Sequence, residues 1–144
     1  MTAYTQEWLS KQIVEKAADA IIFADTEGII RFWNSGAEAI FGYPAEEVLG
    51  ETLDLIVPEK LREKHWEGYR KVMATGKTKY GKGTLAVPAI TKSDNRISIE
   101  FTIVLVTSDA GEPLGTAAVI RDVTERWQKQ KELKKRLKEL EKKI

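Results

Sequence analysis

Hydrophobic and polar residues along this chain change period several times, and each change marks an element. Tyr4, Trp8, Leu9, Ile13 and Ala17 recur at helical spacing among Gln6, Glu7, Lys11 and Gln12. That pattern predicts an amphipathic helix over 4–17. "AIIFAD" (20–25) is a short apolar run, "TEG" is turn chemistry and "IIRFWN" (29–34) is the returning strand, so a hairpin is expected. Asn34 or Ser35 then caps a short helix, "GAEAIFGY", with Glu38 where a capping box from Ser35 would place it. Pro44 opens a further short helix that Gly50 closes. A longer helix is expected from Pro58 to about Ala74, with Gly76 past its end.

Three strands follow, within 77–92, 96–107 and 115–123. In the second, Ile97, Ile99, Phe101, Ile103 and Leu105 alternate with Ser98, Glu100 and Thr102. A period of two predicts one wet and one covered face, with Glu100 on the outer one, solvated or paired with Lys. From Thr124 the pattern changes again. Leu133, Leu137, Leu140 and Ile144 are spaced 4, 3, 4, and the seam extends upward through Gln130, Arg126 or Trp127 and Val123. This heptad predicts a coiled-coil helix that needs a partner. The order is helix, two strands, three helical pieces, three strands, long helix. We expect an α+β fold with a five-stranded antiparallel sheet covered on one face by short helices. The chain divides into an N-terminal amphipathic helix (1–18), a body (19–123) and a C-terminal coiled-coil helix (124–144).

Composition narrows the chemistry. The chain has 144 residues, no cysteine, one histidine and a net charge of +1. Disulfides, thiolate metal sites and cysteine nucleophiles are excluded. No global field favours nucleic acid or membrane binding. The N-terminus lacks a signal-peptide pattern, and no apolar stretch approaches the roughly 20 residues that span a bilayer. A cytoplasmic protein is expected. The charge is local: residues 121–144 hold ten Lys/Arg against five Asp/Glu. No Ser/His/Asp set, paired-carboxylate motif or phosphate loop appears, so no enzyme is expected.

"ADAIIFADTEGIIRFWNSGAEAIFGYPAEEVLG" resembles the opening half of a PAS domain. The last strand, running into "IRDVTER", resembles the PAS exit: a strand, an Asp-x-Thr turn and a signalling helix. The resemblance covers about residues 13–126 and implies a sensory module. Flavin photosensors of the LOV type and coumarate photosensors both need a cysteine, which this chain lacks.

His65 is the single histidine. Helical spacing puts it with Leu61, Tyr69 and Val72/Met73 on an apolar stripe, leaving Arg62, Lys64, Lys71 and Trp66 outside. A histidine on an apolar stripe is by default a neutral core residue; it can also offer a nitrogen to a metal. A protein-only metal site needs several ligands, whereas a porphyrin supplies four nitrogens itself. "PEKLREKHWEGYRK" is similar to the proximal helix of oxygen-sensing haem PAS kinases, keeping Pro58, Glu59, Arg62 and His65. The resemblance implies haem b bound through His65. It places Lys71 and Lys79 at the propionates, and Phe101 and Ile103 on an apolar distal wall. Leu85 stands where that family has an arginine that hydrogen-bonds oxygen. The departure favours carbon monoxide, nitric oxide or redox sensing over tight oxygen binding; Tyr80 is the nearest polar group. The alternative is a cofactor-free dimerisation and relay module, or one binding another small ligand. A homodimer through the terminal helices is expected, with Trp8 and Trp127 at its interface or packed within one subunit. No effector follows Ile144, so output would pass to a signalling partner, unless the chain is a fragment.

Overall fold

The computed structural model describes residues 3–77 and 85–143. The first helix, α1 (Gln6–Lys16), is capped by Thr5, whose hydroxyl accepts from the Trp8 amide at 3.1 Å. Strands β1 (Ala20–Asp25) and β2 (Ile30–Trp33) form the expected hairpin. Helix α2 (Ser35–Phe41) is capped by Asn34, and Glu38 makes no capping box. Its carboxylate accepts from the Ala45 amide at 2.8 Å instead, and so caps the helix that follows. That helix, α3 (Ala45–Val48), has Pro44 just outside it.

The expected helix from Pro58 begins as a tighter 3₁₀ turn, Glu59–Leu61, and becomes α4 only over Arg62–Thr75. Gly76 ends it at φ +69°, a conformation that favours glycine. Strands β3 (Leu85–Ile90), β4 (Arg96–Thr107) and β5 (Pro113–Asp122) complete the sheet, and α5 (Thr124–Lys142) leaves it.

The sheet order is β2-β1-β5-β4-β3, with every neighbouring pair antiparallel. The first and last strands are therefore adjacent in its middle. Pro88, which cannot donate to a ladder, sits in the edge strand β3. Register places Ala24, Thr116 and Leu105 in one row across β1, β5 and β4. The next rows are Ile22–Ala118–Ile103 and Ala20–Ile120–Phe101. Ala20, Ile22, Ala24, Ile99 and Ile120 are core residues, joined by Phe41 and Val48 from the helices. At roughly 25 cal/mol per Å² of apolar surface removed from water, this one-sided burial is the main force closing the helices over the sheet.

Among the described residues two polar side chains are buried with that core, Asn34 and Thr116, and Asn34 ties the elements together. Asn34 is 2% exposed. Its Oδ1 accepts from the amides of Ile21 at 2.8 Å and Ala37 at 2.9 Å. Its Nδ2 donates to the carbonyls of Val14 at 2.8 Å and Asp19 at 3.1 Å. A single amide thus joins the end of α1, the start of β1 and the start of α2. Gly36 permits this approach, because a Cβ there would lie 2.1 Å from the Asp19 carbonyl oxygen.

The exit is also tied. The Asp122 carboxylate accepts from the Thr124 amide at 2.9 Å, and Thr124 Oγ1 accepts from the Ser98 amide at 2.9 Å. Glu100 pairs with Arg126 of α5 and not with a lysine. Asp19 pairs with Arg121 at 3.2 Å, which ties the entry of β1 to the end of β5.

Candidate functional site

Helix α4 is placed by contacts at both ends of its body-facing side. Arg62 is half-buried and donates from Nε to the Val57 carbonyl at 3.1 Å, so it is not on the outer charged face expected from the sequence. Tyr69 is the buried side chain of this helix. Its hydroxyl lies between the carbonyl oxygens of Ala24, at 3.1 Å, and Asp25. Burial pushes its pKa up, so it remains a protonated donor to the sheet.

Trp66 is the clearest departure from expectation. It is half-buried and packs on the core, not outside. Its Nε1 donates to Asp54 Oδ1 at 2.7 Å. Its ring covers Gly28 in the β1–β2 turn, where φ is +79° and a Cβ would lie 2.1 Å from the indole. The connector makes this possible: Leu53 N donates to the Gly28 carbonyl at 3.2 Å, which sets Asp54 beside the hairpin. Adjacent positions on a helix are about 100° apart, so His65 and Trp66 can flank the same broad apolar stripe. A cleft of about 400 Å³ opens between the hairpin turn (Thr26, Glu27), Asp54 and α4 (Trp66, Tyr69, Arg70). His65 does not line it.

His65 is half-buried. Its ring meets the edge of Trp66 at 4.8 Å between centroids, and Tyr69 at 6.0 Å. Its Nδ1 is buried with no hydrogen-bond partner among the described residues. Desolvation lowers its pKa, opposed by the charge of Asp54, so the imidazole is held neutral. A neutral imidazole has a nitrogen lone pair to offer a metal. Among the described residues no group of three or more His, Cys, Asp or Glu could hold a metal ion.

The other expected site residues are spread around this point. Lys71 is exposed on α4. Phe101 and Ile103 are half-buried and belong to successive rows of the sheet face that carries the core. Leu85 pairs with Phe101 across β3 and β4. Lys79 and Tyr80 lie outside the described residues, as do the first residues of the expected third strand. Tyr69 reaches the first sheet row, beside Ala24. In the next two rows Ala118, Ile103 and Phe101 remain only partly buried. Helix α4, which carries the neutral His65, meets the sheet through Tyr69 at the Ala24 row, and the described side chains cover the rows beyond it incompletely. Those donor and wall chemistries fit an apolar macrocycle with one axial protein ligand. Asp54 has no signal in the sequence; Trp66, expected outside, is signalled as inward-facing only by its i, i+3, i+7 spacing with Tyr69 and Met73.

An antiparallel five-stranded sheet with short helices over one face, and a helix tied to its last strand, defines a class of sensory module. A family model described as "PAS fold" matches residues 14–128, and the chain belongs to that family. PAS domains are generally sensory modules of signal transduction rather than catalysts. The chain is 29% identical over 139 residues to the sensor protein FixL of Bradyrhizobium diazoefficiens, covering 94% of this chain and 26% of that protein. It is 28% identical over 95 residues to the oxygen sensor protein DosP of Escherichia coli, covering 66% of this chain and 12% of that protein. The chain therefore spans about a quarter of the length of one of these relatives and about an eighth of the other. Among solved structures, the PAS domain of a protein from Colwellia psychrerythraea superposes with a TM-score of 0.71 at 22% identity, covering 81% of this chain and 96% of that one. An RNA-binding light-oxygen-voltage receptor gives 0.76 at 21% identity, covering 96% and 39%. Among the described residues no helix is long and apolar enough to cross a membrane.

Proposed function

We propose that this PAS domain is a cytoplasmic haem-b sensor of a diatomic gas or of redox state, and that it signals through a homodimer of its flanking helices. The observation that carries the reading is the buried Nδ1 of a neutral His65, without a partner among the described residues, on a helix packed over an incompletely covered apolar sheet face. Leaving a buried polar atom unpartnered costs about 1–3 kcal/mol, and a metal that takes an imidazole lone pair gives the ring a partner. His65 would be the axial ligand, Lys71 and Lys79 would hold the propionates, and Phe101, Ile103 and Leu85 would form the distal wall. Tyr80 would be the polar group available to compensate for the missing donor. Bound haem supplies a redox-active iron that takes a diatomic ligand.

This chain's own residues exclude water with apolar walls and hold His65 neutral. Displacement of β4 is transmitted through Ser98 to Thr124, and so to α5. The similarity to an oxygen sensor protein supports the reading. Leu85, with no donor to a bound polar ligand, favours carbon monoxide, nitric oxide or redox change over tight oxygen binding. A second reading has its own support: Trp66 and Tyr69 already close one end of the interior. On that reading the domain is a cofactor-free relay.

The test is the absorption spectrum of the chain purified with or reconstituted by hemin. A Soret band that shifts when the ferrous protein meets carbon monoxide is expected. No Soret band in either oxidation state, at stoichiometric hemin, would overturn the haem reading and leave the relay or a module for another small ligand.

A further inference from the structure

The near-neutral charge of the whole chain hides a separation. Residues 1–120 carry thirteen Lys/Arg against seventeen Asp/Glu, and residues 121–144 carry ten against five. Within α5 the surplus is gathered on one side. Lys131, Lys135, Lys138 and Lys142 repeat the 4, 3, 4 spacing of the leucine seam, two residues earlier. At about 100° per residue, that offset puts the lysines roughly 160° from the leucines. All four lysines are exposed, and none has an ion-pair partner among the described residues. The nearest acid on the helix circumference, Glu139, falls about 70° from the centre of their face.

One aromatic side chain continues this face. Trp127 stands four residues before Lys131, one turn away, and is 49% exposed. The turn that carries it is anchored: Trp127 N donates to the Val123 carbonyl at 2.8 Å, and the adjacent Arg126 pairs with Glu100 of β4. An open, flat ring thus heads a row of four point charges. Along the axis the row spans roughly 16 Å. That matches about five phosphates of one stacked nucleic-acid strand, at roughly 3.4 Å each.

Other polyanions fit this combination less well. A lipid surface would take up the leucines, and the lysines on the opposite side would point to water. An acidic protein gives the exposed indole no role. A nucleobase does, because every base has a face that stacks on an aromatic ring. We propose that this face of α5 binds single-stranded nucleic acid without sequence preference. The four lysines meet successive phosphates, and Trp127 stacks on a base. The site is independent of the haem reading. It also lies away from the leucine seam, so a partner on that seam leaves it open.

The test is fluorescence anisotropy of a labelled oligothymidylate of about twenty nucleotides, titrated with the full chain. Four phosphate contacts on a single strand give a slope of about −3 in log K against log salt, so raising salt from about 50 to about 200 mM should weaken binding roughly fifty-fold. Changing the four lysines together to glutamine, which has a similar helix propensity, should weaken low-salt binding at least tenfold and flatten the slope. Lys138→Glu alone tests the row with a single change and should weaken binding about fivefold. Trp127→Ala should weaken it roughly tenfold and leave the slope unchanged. Circular dichroism checks that each variant keeps its helix. No binding at low salt, or native affinity in Lys138→Glu or in Trp127→Ala, overturns the proposal. Tighter binding to phosphatidylserine vesicles than to the oligonucleotide also overturns it and assigns the face to a lipid surface.

Discussion

Replacing Asn34 by alanine should damage the domain more than any other single change of a polar side chain described above. The substitution removes one amide and leaves four backbone groups without partners: the amides of Ile21 and Ala37 and the carbonyls of Val14 and Asp19. Loss of the helix cap at Ala37 alone costs about 1 kcal/mol. A buried group left unpaired costs about 1–3 kcal/mol, and water entering the space left by the carboxamide recovers part of that. The net expected loss is about 3–5 kcal/mol, against a typical total of about 5–15 kcal/mol for a domain. For a chain of this size that is roughly 10–15 °C in Tm. Urea unfolding followed by circular dichroism measures it. Asn34→Ser restores the bond to Ala37 only and should recover about 1 kcal/mol. Asn34→Asp points a carboxylate at two carbonyls, so its deficit should shrink as the pH falls and the acid can donate. A loss below about 1 kcal/mol for Asn34→Ala would refute the claim that this side chain holds the entry helix to the core.

Two further predictions concern the site. Gly28→Ala should cost more than the roughly 1 kcal/mol of left-handed strain, because its Cβ meets the Trp66 ring at 2.1 Å; in a Trp66→Ala background only the strain should remain, which a double-mutant cycle of unfolding free energies measures. The folded pKa of His65 lies below its usual 6.5 because of desolvation, so the unfolded chain binds more protons as the pH falls through about 6. Apo-protein stability should therefore be full above the unfolded pKa and fall on acidification. His65→Gln should remove that part of the slope between pH 7.5 and 5, and an unchanged slope would exclude His65 as its source.

Local patterns carried most of the fold. The hairpin, the Gly76 stop, the alternation in β4 and the Asp122–Thr124 turn each depend on a few neighbouring residues, and the structure places each where those residues indicate. What the sequence hid is long-range. Asn34 reads as a cap for α2, yet half of its bonds go to carbonyls that only tertiary folding brings near. Glu38 reads as half of a capping box with Ser35, but the cap sits one residue earlier and the carboxylate is taken by Ala45. Arg126 looks like a seam residue with a polar side chain; Glu100, 26 positions away, occupies it. On α4, a face drawn through His65 and Tyr69 excludes Trp66 by adjacency. The apolar stripe is broad enough to hold both, and an acidic partner at Asp54 draws the indole inward.

The role of His65 is tested most directly by titrating hemin into the apo-protein and into His65→Ala, with absorbance and tryptophan fluorescence read together. Trp66 lies 4.8 Å from the imidazole, so a haem beside His65 must quench its emission. The account predicts a saturable one-to-one Soret band with quenching in the native chain, and at least a tenfold weaker titration in the variant. Equal hemin affinity in the two proteins would contradict it.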